Sequence, residues 1–160
     1  MVYKKIEYLT AIKNNVGATL YFIERKNKVL LPVEVGGLGL ENERAAFFSD
    51  LLPENNSPGF SVKDSLKSSV PSIYDSITRM LAGLSAKLEG VKIYLHFEKV
   101  FYAYLMIQSS RDSFDINVGF LDAVYLANKV KCPILINQDI LGRLGIKLTA
   151  EMIENALLKE

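Results

Sequence analysis

The sequence has very little of several residues that would point to a particular environment or chemistry. Among 160 residues there are one cysteine, one histidine and no tryptophan. A single cysteine excludes an intramolecular disulfide, and no apolar run approaches the roughly 20 residues that a membrane helix needs. The first residues also lack the apolar core of a secretory signal. We therefore expect a protein of the reducing cytoplasm that has no membrane contact.

The chain also has very little net charge. The formal net charge is +1, with 49% hydrophobic and 23% charged residues. This balance is typical of a globular chain, and the length fits one domain. A protein that wraps a nucleic acid is usually strongly basic, so we expect any binding to nucleic acid to be weak.

Three strands are predicted in the first 36 residues. Residues 3–12, 18–24 and 29–35 are rich in β-formers, and turn residues lie between them. The next segment, 38–52, has helical spacing of its apolar residues. Residues 53–69 then combine prolines, asparagines and serines, which indicates an insertion that we expect to be mobile.

The second half of the chain is predicted to begin with a helix, followed by three strands and a second helix. A helix is predicted over 72–88, with Ser72 as its N-cap, Asp75 three residues later and Gly90 beyond its end. Strands are predicted at 91–97, 100–107, 113–116 and 133–136, with a helix at 119–130 and a helical turn at 140–144. Thr149 is expected to cap a C-terminal helix. The pattern predicts one α+β domain over residues 1–148, with mostly antiparallel strands in two strand-strand-strand-helix halves, followed by a helix at 149–160.

Two residues with chemical potential have simple interpretations. His96 alternates with Tyr94 and Lys92, so we expect it on the solvent side of its strand rather than as a base or ligand. Cys132 precedes a proline in an apolar stretch, which favours a buried small side chain over a reactive thiol.

Five segments, in order between residues 31 and 141, resemble the bifunctional nuclease family, whose members are reported to degrade both DNA and RNA. Leu-Pro-Val-Glu-Val-Gly at 31–36 is similar to that family's Leu-Pro-Ile-Trp-Ile-Gly strand. Val-Phe-Tyr-Ala-Tyr-Leu at 100–105 is similar to its Thr-Phe-Tyr-Ala-Arg-Leu strand. Residues 71–77 and 116–123 occupy the places of its two polar signatures, and 132–136 resembles Ala-Pro-Ile-Phe-Val.

The polar signatures themselves have changed. Val70 and Tyr74 stand where the family has arginine and histidine, and Asn117 replaces an aspartate. Gly119 replaces an arginine. Asp75 and Asp122 are retained.

The retained acids have two interpretations. Each lies near the third position of a predicted helix, where a carboxylate satisfies free amides and faces the positive end of the helix dipole. The resemblance instead implies catalytic roles for Asp75, Asp122, Asn117 and Tyr74, with Asp75 and Asp122 as ligands of Mg²⁺ or Mn²⁺. Their spacing in the sequence is not diagnostic of a metal site.

Two functions stay open, and with them whether the protein is an enzyme. The resemblance implies a divergent family member with weak or vestigial metal-dependent DNase and RNase activity. The alternative is a non-catalytic, oligomeric binding or regulatory module that keeps the fold. A homo-oligomer is expected in either case, from the resemblance and from the apolar run at 100–105.

Overall fold

The computed structural model describes residues 1–36 and 73–158. Within these residues, eight strands form one mixed, mostly antiparallel sheet accompanied by four helices. In chain order the elements are β1 (Tyr3–Asn14), β2 (Gly17–Glu24), β3 (Val29–Gly36), α1 (Ile73–Gly83), β4 (Ala86–Phe97), β5 (Val100–Ser109), β6 (Ser113–Gly119), α2 (Phe120–Val130), β7 (Ile134–Asn137), α3 (Gln138–Leu144), β8 (Ile146–Lys147) and α4 (Ala150–Leu157). The predicted α+β class is confirmed.

The strand order of the sheet is β6-β5-β4-β7-β1-β2-β3-β8. The meanders β1-β2-β3 and β4-β5-β6 correspond to the two predicted halves, and the short strand β7 joins them. β7 pairs antiparallel with β1 and parallel with β4. β7 has only four residues. Ile134 and Ile136 on β7 are buried, so the two halves of the sheet meet at an apolar strand.

One face of the sheet forms the core together with α2. The inward residues of β5 are Ala103, Leu105 and Ile107, all buried. α2 contacts β4, β5 and β6 and buries five side chains: Phe120, Ala123, Val124, Leu126 and Ala127. The predicted helix over 119–130 is therefore confirmed, with Gly119 as its N-cap residue.

The helix predicted over 72–88 ends earlier than expected, at Gly83. Ser85 has a left-handed φ of 53°, and β4 begins at Ala86, which pairs with Ser109. Leu84 and Leu88 fit a helical spacing, but Lys87 and Glu89 alternate with half-buried neighbours as strand residues do. Pairing along β5 decides in favour of the strand, and Gly90 lies inside β4 rather than after a helix.

A change of register in β4 also reverses the prediction for His96. The pairing shifts between Ile93 and Leu95, so residues beyond this irregularity change faces. His96 is half-buried, and its ring centroid lies 4.4 Å from that of Phe101. Leu95 and Phe97, which the simple alternation placed inward, are 45% and 58% exposed.

Some of the remaining predictions concern residues that the structure describes, and others concern residues outside them. Thr149 caps α4 as predicted, because its hydroxyl accepts a hydrogen bond from the amide of Met152 at 3.3 Å. The predicted helix at 38–52, the insertion at 53–69 and the Ser72 cap lie outside the described residues. No helix in the described part of the chain is long and apolar enough to cross a membrane.

Candidate functional site at the contact between α1 and α2

The first turn of α1 lies against α2, which brings Tyr74 together with Asp122. The Tyr74 hydroxyl donates a hydrogen bond of 2.6 Å to Oδ1 of Asp122. The ring of Tyr74 packs on that of Tyr125, one turn further along α2, with centroids 4.3 Å apart. Two residues at the positions of the family's polar signatures, 48 residues apart in sequence, are thus direct partners.

Asp75 takes part in a different contact between the same helices. Its Oδ1 lies 2.5 Å from Nζ of Lys129, and the two side chains are about one-third exposed, at 35% for Asp75 and 29% for Lys129. Lys129 Nζ also lies 5.9 Å from the ring centroid of Tyr125. A lysine near the C-terminal end of α2 is itself favourably placed toward the negative end of the helix dipole.

Gly119 borders the carboxylate of Asp122. A Cβ atom added at Gly119 would lie 3.1 Å from Oδ2 of Asp122, and Gly119 makes no side-chain cap for α2. Asp122 therefore folds over the start of its own helix, as expected for an acid in the first turn. The family that the sequence resembles has an arginine at the position of Gly119. This chain therefore has no cation at that position next to Asp122.

The residues around α1 and α2 do not fit a divalent cation well. Mg²⁺ requires several oxygen ligands in near-octahedral geometry. Within residues 1–36 and 73–158, no three His, Cys, Asp or Glu side chains are grouped so as to hold a metal ion. The Lys129 ammonium lies beside Asp75, where it competes with a cation for the carboxylate.

Asn117 lies apart from both acids. It pairs with Tyr104 across β5 and β6, and Tyr104 alternates with the buried residues Ala103 and Leu105. Successive strand residues point to opposite faces, so Asn117 is on the face of the sheet away from α2. Its Oδ1 accepts a hydrogen bond of 3.2 Å from the Tyr94 hydroxyl. The structure thus brings together Tyr74 and Asp122, links Asp75 to the same pair of helices, and separates Asn117 from them.

This second face carries a group of tyrosines that the sequence analysis did not single out. Lys92 Nζ lies 5.0 Å from the ring centroid of Tyr3 and 5.7 Å from that of Tyr104. Burial, reinforced by a hydrogen bond with Tyr104, raises the pKa of the Tyr3 hydroxyl above its ordinary value. The alternation of Tyr102 and Tyr104 in β5 was a signal for this face. The position of Tyr3 near Lys92 could not be predicted from the sequence, because it depends on β1 lying beside β7 and β7 lying beside β4.

Cys132 is half-buried, and it lines a groove of about 330 Å³ together with residues of β1 and the end of α2. Burial raises the pKa of its thiol to about 11. A thiol with such a pKa is almost wholly protonated near neutrality, and only the thiolate is a good nucleophile. This agrees with the interpretation of Cys132 as a packing residue.

The family of the chain is decided by a match that spans these elements. The model of the bifunctional nuclease domain matches residues 60–149, more than half of the chain. The chain belongs to the bifunctional nuclease domain family. Both acids and four of the five resembling segments lie inside the match, while the segment at 31–36 lies outside it. No curated protein matches the chain.

Proposed function

We propose that this family member is a non-catalytic, oligomeric binding or regulatory module that keeps the fold of the family without its nuclease activity. The observation that supports the proposal is the engagement of both acids at the contact between the helices. Asp122 accepts a hydrogen bond from Tyr74, and Asp75 is paired with Lys129. These contacts give each carboxylate a role in holding α1 against α2.

The charges around Asp122 support the same proposal. Cleavage of a phosphodiester requires stabilisation of the charge that develops in the transition state, and the loss of one donor commonly costs about 10²–10³ in rate. Position 119 is a glycine and supplies no charged donor, and the Tyr74 hydroxyl already donates its hydrogen bond to Asp122. A phenol hydroxyl is also a poor general base at neutral pH.

The second candidate is a weak nuclease that depends on Mg²⁺ or Mn²⁺. Family membership favours it, because both acids persist within the matched residues. In this candidate Asp75 and Asp122 would contribute carboxylates to the ion after exchanging their present partners. Lys129 would then have to release Asp75, which costs the energy of that ion pair.

The deciding experiment is a cleavage assay on labelled single-stranded DNA and RNA with Mg²⁺ and with Mn²⁺. The control is the double variant Asp75→Asn, Asp122→Asn, purified identically so that contaminating nucleases contribute equally. We expect the same low rate from both proteins. Cleavage by the wild type that disappears in the double variant would overturn the proposal in favour of the enzyme.

A further inference from the structure

Within the described part of the chain the strand β6 forms one edge of the sheet, and its own sequence lacks the features that usually protect an edge strand. Among these residues it pairs only with β5, without a bulge. The opposite edge, β8, is only two residues long. Native proteins protect exposed edges with short strands, lysines, prolines or bulges. β6 has seven residues, no lysine, no proline and one charge, at Asp115.

The side of β6 that continues the core is apolar and partly exposed. Ile116 pairs with Leu105, and Phe114 pairs with Ile107. Cross-strand partners share a face of the sheet, and both partners on β5 are buried. Phe114 and Ile116 are nevertheless 46% and 42% exposed. The apolar face of the sheet thus extends onto the edge strand β6. Such an edge is suited to pairing with another strand whose apolar side chains lie on the same face of the sheet.

From these two observations we infer that β6 pairs antiparallel with β6 of a second copy, which continues the sheet across a two-fold axis at Ile116. The pattern of side chains around Ile116 is self-complementary. In this register Ile116 faces its counterpart, and Phe114 faces Val118 of the second copy. A two-fold interface requires such self-complementarity, because the same patch is present on both sides.

The polar face of β6 supports the same register. Asp115 of one copy would face Asn117 of the other. The Oδ1 atom of Asn117 accepts a hydrogen bond from Tyr94, which leaves its amide hydrogens to donate to a carboxylate. A register centred on Asp115 would instead place two carboxylates opposite each other, which is unfavourable.

The composition of the strand favours a protein partner over a nucleic acid. Residues 113–119 contain no lysine or arginine to neutralise phosphates. Strand addition instead requires apolar side chains beside backbone groups that are free to pair, and within the described residues β6 pairs only with β5. The inference concerns the edge of the sheet and does not depend on the state of Asp75 or Asp122.

The test measures the mass of the full chain by sedimentation equilibrium, from about 1 to about 100 μM, where associations of moderate affinity are resolved. We expect twice the chain mass at the upper end. Ile116→Lys places two ammonium groups at the axis, and like charges opposite each other destabilise strand pairing. Its dimerisation should weaken by about tenfold or more. The control Ile12→Lys changes a 56% exposed residue on the interior strand β1, and it should leave the dimer intact.

A cross-link provides a second measurement that does not depend on tolerance of a lysine. Facing residues of antiparallel strands have Cα atoms about 4.5–5.5 Å apart, a separation that a disulfide spans. In a Cys132→Ser background, Ile116→Cys should therefore form a covalent dimer on oxidation much faster than Ile12→Cys. A wild-type protein that is monomeric at about 100 μM, a dimer unaffected by Ile116→Lys, or equal cross-linking at both positions would overturn the inference. A monomer without nuclease activity would overturn it while leaving the absence of catalysis intact.

Discussion

The hydroxyl of Tyr74 lies 2.6 Å from Oδ1 of Asp122 and donates a hydrogen bond to it. In the family resemblance these positions hold a histidine and an aspartate. A tyrosine keeps a donor within reach of the carboxylate, but it is neither a cation nor a useful base near neutral pH. Tyr74 therefore links α1 to α2 without supplying a group suited to acid-base chemistry at neutral pH.

The first prediction concerns the stability that this link provides. Tyr74→Phe removes the hydroxyl and keeps the ring against Tyr125. The contact is partly buried and involves a carboxylate, so the free energy of unfolding should fall by about 1 kcal/mol. Urea unfolding followed by circular dichroism measures the change. Tyr21→Phe is the control: Tyr21 has no hydroxyl hydrogen bond within the described residues, so its effect should stay within about 0.5 kcal/mol. Equal effects would show that the Tyr74 contact contributes nothing to stability.

The second prediction concerns the ion pair between Asp75 and Lys129. Both side chains are about one-third exposed, so solvent screens the pair and its coupling should be about 0.5–1 kcal/mol. A double-mutant cycle with Asp75→Asn and Lys129→Gln isolates this coupling from other contacts of the two residues. The matched cycle uses Lys87 and Glu89, whose side chains are 72% and 46% exposed. We expect a smaller coupling there, and both couplings should decrease at high salt.

The third prediction follows from the raised pKa of Cys132. Burial favours the neutral thiol in the folded state and raises its pKa to about 11. At pH 8 the folded protein should therefore react with iodoacetamide about a hundredfold more slowly than the urea-unfolded chain. Reactivity of the folded protein should rise as the pH approaches 11. The same shift stabilises the fold below the ordinary thiol pKa, and this contribution is lost as the pH rises through the folded value. Equal alkylation rates at pH 8 would contradict the shift.

Much of the sheet was predictable from local patterns, because its strands are joined by short turns. β1, β2 and β3 alternate between polar and apolar residues, and turn residues mark the ends of the hairpins. The end of α1 was not predictable in the same way. Leu84 and Leu88 suit a helix and a strand alike, and the choice depends on pairing with β5. Likewise, one irregularity in β4 reverses the faces of His96 and Leu95.

The candidate site was predictable only as a set of residues. The resemblance identified Tyr74, Asp75, Asn117 and Asp122, but their positions relative to one another depend on packing between distant elements. Asn117 and Asp122 are five residues apart, yet they lie on different sides of the sheet because β6 ends and α2 begins between them. Lys129 carried no motif, and its pairing with Asp75 depends on the contact between α1 and α2.

The final prediction is that nuclease activity increases when the family's polar residues are restored beside Asp122. Positions 74 and 119 both border this carboxylate: Tyr74 through its hydroxyl, and Gly119 through a Cβ that would lie 3.1 Å from Oδ2. Gly119 has φ −61° and ψ 144°, an extended conformation that any residue adopts, so an arginine needs no change of backbone. The Asp122 carboxylate has to move by only a few tenths of an ångström.

Tyr74→His supplies a base with a pKa near neutrality, and Gly119→Arg supplies a fixed cation that stabilises developing negative charge. The double variant should cleave single-stranded RNA at least about tenfold faster than the wild type, a conservative fraction of what one charged donor contributes. The control adds Asp122→Asn to the double variant and should return the rate to that of the wild type. Both variants need unfolding transitions comparable to that of the wild type. If the double variant is folded and no faster, the missing polar residues at 74 and 119 are not the reason for low activity, and the proposal that their loss weakened catalysis has to be abandoned.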